Sequence, residues 1–406
     1  MFVEKKKQKT KKEKKSRKDK MEEQLWKACK DGKVEEVKKL LQNEQININW
    51  QNENDYLKTP FYVACKKGHI EIVKLLLNDD RIDVNRPFYV ACYQGHIDIV
   101  KLLLNDNRVD INKAEKYGLT PFYIACLNGY IEIVRLLLND QRVDVNKVKN
   151  DGETPFYVAC YCGHIEIVKL LLNDGRVDIN KAENGGYTPF HSACQEGHID
   201  IVKLLLNDQR VDVNHKVRND GETPFYVACS NGKKEVVELL LNDNRVDINQ
   251  STDHSQTPFW IGWTPFYVAC QNGHIEIVEL LLNDKRIEIN KATNTGQTPF
   301  WIACEKGRIE IAKLLLNNNR IDLKKADNDG DTPFHSACYF GKTGVVKYLL
   351  ESGREIDINK KNNDGKTGLD FAKEKGNTDI VKLIESFQRN PNEIRANLRR
   401  EFGNFQ

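Results

Sequence analysis

The stretch GLTPFYIACLNGYIEIVRLLLNDQRVDVN, residues 118–146, decides the fold because close copies of it follow one another along most of the chain. The prolines that set the register of the copies are Pro60, Pro87, Pro121, Pro155, Pro189, Pro224, Pro265, Pro299 and Pro333. Most neighbouring prolines repeat the spacing between Pro121 and Pro155. A fixed period of this length is typical of one supersecondary unit stacked on itself. We therefore expect function on an extended surface rather than in a single cavity.

One copy predicts two helices and an extended segment. Thr120 is an N-cap residue and Pro121 suits the first helical position, where its missing N–H costs nothing. Gly129 ends this short helix. Residues 131–138 are apolar around more than half of the helix circumference, which indicates a second helix buried on both flanks. The alternating residues 142–146 predict an extended link to the next copy.

The repeated motif, with its Gly-x-Thr-Pro-Phe start, Ala-Cys and Gly-His-Ile-Glu centre and Val-Asp-Val-Asn end, resembles the ankyrin repeat over residues 22–386. The resemblance implies an all-α helical solenoid of stacked helix-turn-helix repeats with projecting turns. Tyr usually replaces the family's His, which His191 and His335 retain, and Arg-Val or Arg-Ile replaces its Gly-Ala. We count eleven repeats, with polar first and last repeats that are expected to cap a complete array.

The predicted domains are a disordered basic tail (1–20), the repeat array (21–386) and a short amphipathic C-terminal helix (387–406). Two joins are irregular. Pro87 follows Pro60 earlier than the regular spacing requires, which predicts intact stacking with one projecting turn missing. Pro265 follows Pro224 later than the regular spacing requires, so the region 250–264 contains extra chain. Its segment 257–261 is either the remnant of a repeat or a loop insertion.

The C-terminal helix is predicted from a start signal and an apolar stripe. Asn390 is a candidate N-cap followed by Pro391, and Glu393 stands at the third helical position. Leu398 lies on the apolar stripe. The helix is expected to pack on the last repeat or to act as a docking peptide.

The positions of the cysteines and histidines indicate structural roles and not disulfide bonding or metal binding. Ten of the eleven cysteines fill one slot of the repeat, which predicts buried, reduced side chains because stacked repeats lie too far apart for disulfides. Cys162 stands outside this slot and is interpreted as an inert surface thiol. The histidine that follows glycine in the repeat (His69, His96, His164, His198, His274) is interpreted as a structural turn residue rather than a metal ligand.

The resemblance implies that partners bind the projecting turns and the exposed ends of the first helices. Large aromatic side chains at such positions are typical binding anchors, although scattered surface aromatics are also normal. The predicted partner-binding residues are Tyr93, Tyr117, Leu119, Tyr161, Tyr187, Trp263, Tyr339 and Phe340.

The segment 1–20 carries a net charge of +8, which leaves −5 for the remainder because the whole chain carries +3. The tail is too charged to pack. Of its eleven Lys and Arg residues, the candidate functional ones are Lys5, Lys6, Lys7, Lys11, Lys12, Lys14, Lys15, Arg17 and Lys18. A nuclear import signal, a contact with a polyanion such as nucleic acid or acidic lipid, and a solubilising tail are three open interpretations.

The sequence contains no phosphate-binding glycine loop, zinc-protease motif, nucleophile elbow or Cys-x-x-Cys motif. We therefore expect a non-enzymatic protein-binding scaffold that uses no cofactor or metal and has one or more protein partners. One alternative is a regulatory or inhibitory subunit that sequesters a single enzyme or transcription factor. Another is a polyanion-binding protein that works through its tail. No run is long and apolar enough for a membrane span, and a monomer in the cytoplasm, or also in the nucleus, is expected.

Overall fold

The computed structural model describes residues 17–53, 55–218, 220–253, 262–354 and 356–403, with Arg17 and Lys18 described by their backbone alone. These residues form 23 α-helices and one short 3₁₀ turn. Within them we find a single isolated bridge, between Asn52 and Lys58, and no strand. The chain divides into two compact units, Met1–Asn184 and Gly185–Gln406.

Eleven helix pairs confirm the predicted helix-turn-helix repeats. The first unit contains α1 (Arg17–Asp31), α2 (Val34–Leu41), α3 (Pro60–Lys67), α4 (Ile70–Leu77), α5 (Asn85–Gln94), α6 (Ile97–Leu104), α7 (Pro121–Leu127), α8 (Ile131–Leu138), α9 (Pro155–Tyr161) and α10 (Ile165–Leu172). The second contains α11 (Pro189–Glu196), α12 (Ile199–Leu206), α13 (Pro224–Ser230), α14 (Lys234–Leu241), α15 (Pro265–Asn272), α16 (Ile275–Asn283), α17 (Pro299–Lys306), α18 (Ile309–Asn317), α19 (Pro333–Tyr339), α20 (Thr343–Glu351), α21 (Gly368–Glu374), α22 (Thr378–Arg389) and α23 (Pro391–Glu401). Up to α22, odd numbers are first helices and even numbers are second helices, so α7 and α8 form repeat 4.

The Thr-Pro pair starts the first helices as predicted. In repeat 4 the Thr120 hydroxyl accepts the Tyr123 backbone N–H at 3.0 Å, and Pro121 is the first helical residue. Gly129 has φ 76°, in the left-handed region that glycine enters without steric cost. The same cap and proline recur in repeats 2 and 5 to 10, so local signals fix where each repeat begins.

Within each unit, first helices pack on first helices and second helices pack on second helices. Small side chains make the close approach of the first helices possible, since Ala125 and Cys126 are fully buried. All cysteines are free, and the predicted slot is buried in each repeat that carries it, at Cys29, Cys65, Cys92, Cys126, Cys160, Cys194, Cys229, Cys270, Cys304 and Cys338. Burial raises the pKa of the Cys92 thiol well above its ordinary value, so it packs as a small apolar group. Cys162 is half-buried.

An arginine clamp explains one departure from the ankyrin pattern. The guanidinium of Arg108 bonds the carboxylate of Asp106 at 2.6 Å and the carbonyl of Leu77, at the end of α4, at 3.0 Å. Arg286 reaches the carbonyl of Leu241, at the end of α14, in the same way at 2.7 Å. Arginine in place of the family's Gly-Ala therefore satisfies carbonyls that the preceding second helix leaves without a partner.

An asparagine clamp joins the extended segments of neighbouring repeats. The Asn112 side chain donates to the carbonyl of Arg142 at 2.7 Å and accepts the N–H of Asp144 at 2.9 Å. Asn290 bonds Arg320 and Asp322 in the same two ways, at 2.6 Å and 2.9 Å. One side chain thus bonds a backbone donor and a backbone acceptor of the next repeat.

The turn histidines are structural, as predicted. Nε2 of His164 lies 3.0 Å from the carbonyl of Leu127 in the preceding repeat. Its ring covers Gly129, where an added Cβ would come within 2.7 Å of the imidazole. The equivalent contacts of His69, His96 and His274 are formed with their own preceding repeats.

The short join keeps its place in the stack, as predicted. Helix α5 begins at Asn85 without a side-chain cap and still packs against α3 and α7. No turn projects in front of repeat 3. In the space that remains, the Arg86 guanidinium stacks 5.4 Å from the ring centroid of Tyr62 and lies 3.7 Å from the Glu115 carboxylate.

The described residues on the two sides of the long join are bonded to each other. Thr252 donates its N–H to the carbonyl of Trp263 at 3.0 Å and accepts that of Gly262 at 2.9 Å, which closes the base of the turn. Helix α15 packs on α13 as in regular repeats. The segment 257–261, in which the sequence also allowed a repeat remnant, lies outside the described residues.

Both ends of the helical part differ from the predicted boundaries. Helix α1 begins at Arg17, so the last residues assigned to the tail are helical, and α22 continues to Arg389. Helix α23 starts after Asn390 as predicted and packs on α20 and α22, with Leu398 buried. It therefore covers the second helices of repeats 10 and 11. None of the helices in the described part of the chain is both long and apolar enough to cross a bilayer.

Candidate functional site

The projecting turn before each first helix is here called a finger and carries the number of its repeat. Most fingers place glycine in the left-handed region at the tip, as Gly152 does in finger 5 with φ 92°. Only three non-glycine residues among those described have a positive φ. They are Tyr56, Leu57 and Tyr117, and each is an exposed apolar residue at a finger tip of the first unit.

Tyr117 is held at the tip of finger 4 in a strained conformation. Its φ of 68° costs a side chain about 1 kcal/mol or more. The conformation is fixed because the Tyr117 carbonyl accepts the N–H of Asn150 in finger 5 at 2.9 Å. Lys116 lies over the ring, 4.6 Å from its centroid, and the tyrosine is still 61% exposed.

Finger 2 repeats this arrangement without any glycine. Tyr56 has φ 51° and is 86% exposed, and Leu57 has φ 58° and is 50% exposed. Backbone bonds from Leu57 and Asp55 to the carbonyl of Asn52 close the turn, at 3.0 and 3.1 Å. Lys58 lies 5.2 Å from the centroid of the Tyr56 ring. Strained residues that persist are frequently functional, and here the strain exposes apolar surface.

Three of the predicted partner-binding residues line one groove, which we call the tyrosine groove. It has a volume of about 680 Å³ and lies between repeats 4 and 5. Its wall on the repeat 4 side is Tyr117, Leu119, Tyr123 and Leu127, and its wall on the repeat 5 side is Lys149, Asn150, Asp151, Glu153, Val158 and Tyr161. Tyr161 is exposed at the end of α9. The groove is thus apolar at its centre and carries charges along one side.

Ion pairs hold the charged side of the groove in place. The hydroxyl of Tyr123 donates to the Glu153 carboxylate at 2.6 Å, and Lys149 lies 2.9 Å from Glu153 and 2.8 Å from Asp151. Burial and the bond to Glu153 raise the pKa of Tyr123 well above its ordinary value, so it stays a neutral donor. Burial lowers the pKa of Lys149, but its bonds to the two carboxylates outweigh that effect and raise it.

Tyr93 occupies the end of α5 in the repeat without a finger. It is exposed, and its ring stacks on that of Tyr89 with 6.4 Å between centroids. The two rings form an apolar ledge beside the position where finger 3 would project. Burial raises the pKa of Tyr89 to about 12.

In the second unit the predicted residues Tyr187 and Trp263 are half-buried supports. The Tyr187 hydroxyl donates to the Glu222 carboxylate at 2.8 Å, and its ring meets that of His191 edge-on at 5.6 Å. Trp263 lies against Tyr267, with 5.4 Å between centroids. These ring contacts connect each finger to the first helix of its own repeat. They leave less ring surface for a partner than is exposed at Tyr117.

Tyr339 and Phe340 form a separate aromatic cluster at the end of α19. Tyr339 meets Phe340 at 4.9 Å and Phe371 at 5.4 Å between centroids, and Lys375 lies 4.3 Å over its ring. Phe340 is exposed, whereas Tyr339 is half-buried.

The residue two positions after Pro in each first helix explains the other departure from the ankyrin pattern. Tyrosine reaches a side chain in the next finger, as Tyr267 does at Gln297, 3.2 Å away. Histidine stops at a backbone carbonyl, as Nε2 of His335 does 3.2 Å from that of Lys366. Trp301 also donates to a carbonyl, that of Asp331, at 3.0 Å. Fingers 9, 10 and 11 are therefore each bonded to the first helix of the preceding repeat.

Sequence reasoning did not select Tyr56 and Leu57, although they are exposed and apolar. The available signal was the absence of glycine from a turn that elsewhere contains it. The basic-tail residues Lys5, Lys6, Lys7, Lys11, Lys12, Lys14 and Lys15 lie outside the described residues, and Arg17 and Lys18 lie in α1 without described side chains. No cluster of three or more His, Cys, Asp or Glu side chains that could hold a metal occurs among the residues described.

Comparison with protein families gives a match along nearly the whole chain. The model of ankyrin repeats, three copies long, matches overlapping segments that together run from residue 5 to residue 394. The matched segments are 5–88, 82–148, 140–217, 175–252, 210–293, 251–327, 269–362 and 319–394. A search of curated proteins found no match.

Proposed function

The chain belongs to the ankyrin repeat proteins, which are protein–protein interaction modules and generally not enzymes, and we propose that its principal partner binds the first unit. The binding surface in this proposal consists of the tips Tyr56, Leu57 and Tyr117 together with the tyrosine groove. A scaffold role, in which this surface holds a protein partner without chemistry on it, accounts for these features.

The observation that carries the proposal is the strain at the tips. Asn, Asp or Gly would satisfy the left-handed backbone at lower cost, so Tyr56, Leu57 and Tyr117 are not explained by folding. Exposed Tyr and Leu also lose apolar contacts that burial would give them. Both costs are offset when a partner covers the side chains, since aromatic anchors in desolvated pockets contribute most of the energy of an interface.

The tyrosine groove favours a partner segment with an apolar anchor next to a polar group. Tyr117 and Tyr161 offer the apolar surface, while Lys149, Asp151 and Glu153 offer both signs of charge along one side. A groove of about 680 Å³ accommodates one or two large side chains, in the size range of ordinary ligand sites. The walls are pre-positioned by hydrogen bonds, which lowers the cost of ordering on binding.

The proposal is tested by comparative affinity capture with the full chain as bait. We would compare the wild type, a first-unit variant (Leu57→Gly, Tyr117→Ala and Tyr161→Ala) and a matched second-unit variant (Phe340→Ala). A partner that is captured by the wild type and by Phe340→Ala, but not by the first-unit variant, supports the proposed surface. Loss of the partner with Phe340→Ala alone would contradict it and assign binding to the second unit.

The stoichiometry of the purified complex then separates a scaffold from a regulatory subunit. Several partners that bind independently indicate a scaffold. One partner that binds tightly at equal stoichiometry and loses its own activity indicates an inhibitory subunit.

A further inference from the structure

The junction of repeats 9 and 10 in the second unit leaves apolar residues uncovered. Regular extended segments bury both of their apolar residues, as Ile287 and Ile289 do in repeat 8. At the junction, Leu323 of repeat 9 and Ile356 of repeat 10 occupy such positions and are only half-buried. Ile358 is half-buried as well. The packing rule followed by the other repeats of this unit is therefore broken at one place.

Sequence changes at the same junction remove the two clamps. Lys324 replaces the clamp asparagine, and a lysine side chain has no acceptor for the backbone N–H that asparagine would bind. Between Leu350 and Ile356 the chain is one residue longer than between Leu138 and Val143. Arg354 is consequently out of register with the arginine clamp and lies exposed, where it lines a shallow depression next to Lys324.

A cavity of about 490 Å³ opens where the clamps are missing, and we call it the Phe334 pocket. Its floor is formed by core side chains, Phe300, Phe334 and Leu349, and its walls include Leu323 and Ile356. The size is typical of small-molecule sites, which are mostly apolar with a few polar groups.

Charges at the rim give the pocket a preference. Among the residues that the structure describes, Lys324 and Lys360 line the pocket together with one carboxylate, that of Asp357. The depression next to the mouth adds one charge of each sign, from Arg354 and Asp322. An apolar floor with a rim of net positive charge suits a ligand whose apolar body is joined to one anionic group.

From this arrangement we propose that the Phe334 pocket binds a small monoanionic amphiphile with an aromatic or branched apolar body. The body packs on Phe300 and Phe334, and the anionic group lies between Lys324 and Lys360. The site is separate from the tips and the tyrosine groove, so it does not depend on the proposed protein-binding function. A ligand held there would replace the contacts that the missing clamps leave out between repeats 9 and 10.

Two fluorescent probes of the same shape test the proposal on the full chain. 8-Anilinonaphthalene-1-sulfonate carries the anionic group, and N-phenyl-1-naphthylamine lacks it. Saturable binding of about one sulfonate probe per chain is expected at neutral pH, where the apolar body drives binding. The double variant Lys324→Gln, Lys360→Gln should weaken the sulfonate probe about five-fold, the scale of one or two exposed ion pairs, and leave the neutral probe unchanged.

A regular junction supplies the matched control. Lys291 occupies in repeat 8 the position that Lys360 occupies in repeat 10, so Lys291→Gln should change neither probe. Ile356→Asp should abolish binding of both probes while the thermal unfolding transition stays cooperative. If Ile356→Asp fails to fold, the lysine double variant still decides the question. Three results would overturn the proposal. The lysine double variant could weaken both probes equally, or Lys291→Gln could weaken the sulfonate probe as much as the double variant does. The third is that neither probe shows saturable binding.

Discussion

The fingers of the two units solve the same turn with different residues. In the first unit, Tyr56, Leu57 and Tyr117 occupy left-handed positions at finger tips. In the described part of the second unit every left-handed residue is glycine, for example Gly296 with φ 85° and Gly330 with φ 80°. The backbone ladder between fingers is the same in both, with Asn150 bonded to Tyr117 and Asn328 bonded to Thr295. The difference therefore lies in what the tips expose and not in how the fingers are held.

The first helices of the two units also differ in a residue that can take up a proton. Repeats 2 to 5 in the first unit place tyrosine two positions after Pro, whereas repeats 6 and 10 in the second unit place His191 and His335 there. Nδ1 of His191 accepts the Thr188 N–H at 3.2 Å, and Nε2 lies 3.2 Å from the carbonyl of Glu222. Both nitrogens are thus used by a neutral imidazole.

The largest expected effect follows from His191. Burial lowers the pKa of His191 to about 4, so the folded state binds a proton less readily than the unfolded state, whose pKa is 6.5. The contribution of the neutral His191 imidazole to the free energy of unfolding is therefore present above pH 6.5 and is lost as the pH falls toward 4. A loss of about 2 kcal/mol is expected at pH 5, rising to about 3 kcal/mol at pH 4. Burial lowers the pKa of His335 too, so it adds to the effect.

Urea unfolding of the wild type and of His191→Tyr, each at pH 7.5 and pH 5, measures this effect. Tyrosine is chosen because Tyr226 and Tyr267 occupy the equivalent position in the same unit. The variant should lose less stability on acidification than the wild type by about 2 kcal/mol. An equal loss in both proteins would show that the protonation of His191 does not limit the second unit.

The next effect concerns the partner of the first unit. Tyr117→Ala together with Tyr161→Ala should weaken the principal partner by at least about 2 kcal/mol, the scale of interface anchors. Helical circular dichroism should not change, because both side chains are exposed. Titration calorimetry with the purified partner measures the loss. Phe340→Ala is the control, because it removes an exposed aromatic side chain from the second unit. A larger loss of binding free energy with Phe340→Ala than with the double variant would assign the partner to the second unit.

Strain at the tips predicts a smaller effect on stability with opposite signs in the two units. Leu57→Gly should stabilise the chain by about 1 kcal/mol, because glycine adopts φ 58° without the steric cost. Gly330→Ala should destabilise it by about 1 kcal/mol or more, since the added Cβ would lie 2.6 Å from Oδ1 of Asn363. Denaturant midpoints give both values. If Leu57→Gly is neutral or destabilising, finger 2 is not strained, and the main support for the proposed surface is lost.

The fold was predictable because each of its signals is repeated and local. The Thr-Pro start, the cysteine slot and the turn histidine recur in the same order, and all three have the predicted structural roles. The arginine clamp was visible only as a departure from the family, because its partner is a carbonyl in the preceding repeat, such as that of Leu104 for Arg142. The role of the clamp arginine therefore becomes visible only when two neighbouring repeats are stacked.

The candidate site was predictable only in part. Tyr117, Leu119 and Tyr161 follow from the rule that finger tips and helix ends are exposed, and they line one groove. Tyr56 and Leu57 were missed because a left-handed φ is imposed by bonds within the finger and is not a property of either residue. The Phe334 pocket needed the structure as well, since a single Asn-to-Lys difference at position 324 does not reveal a cavity.

The smallest expected effect concerns the long finger of the second unit. Removal of residues 255–261 restores the regular spacing between Pro224 and Pro265. The bonds between Thr252 and Gly262 and between Thr252 and Trp263 already close the base of the finger, so the stack does not depend on the inserted residues. Shortening a loop about two-fold changes its closure entropy by only about 0.6 kcal/mol, and we expect a gain no larger than about 1 kcal/mol. A broken repeat would behave differently, because the interface between α13 and α15 would then be the weakest in the unit and the deletion would change stability by several kcal/mol. Denaturant unfolding of the deletion variant distinguishes these two possibilities.

Limited proteolysis of the wild type gives an independent result. Cleavage within 254–261 should leave fragments that remain associated through α13 and α15, whereas separation of the fragments without denaturant would show that the join is a break in the stack.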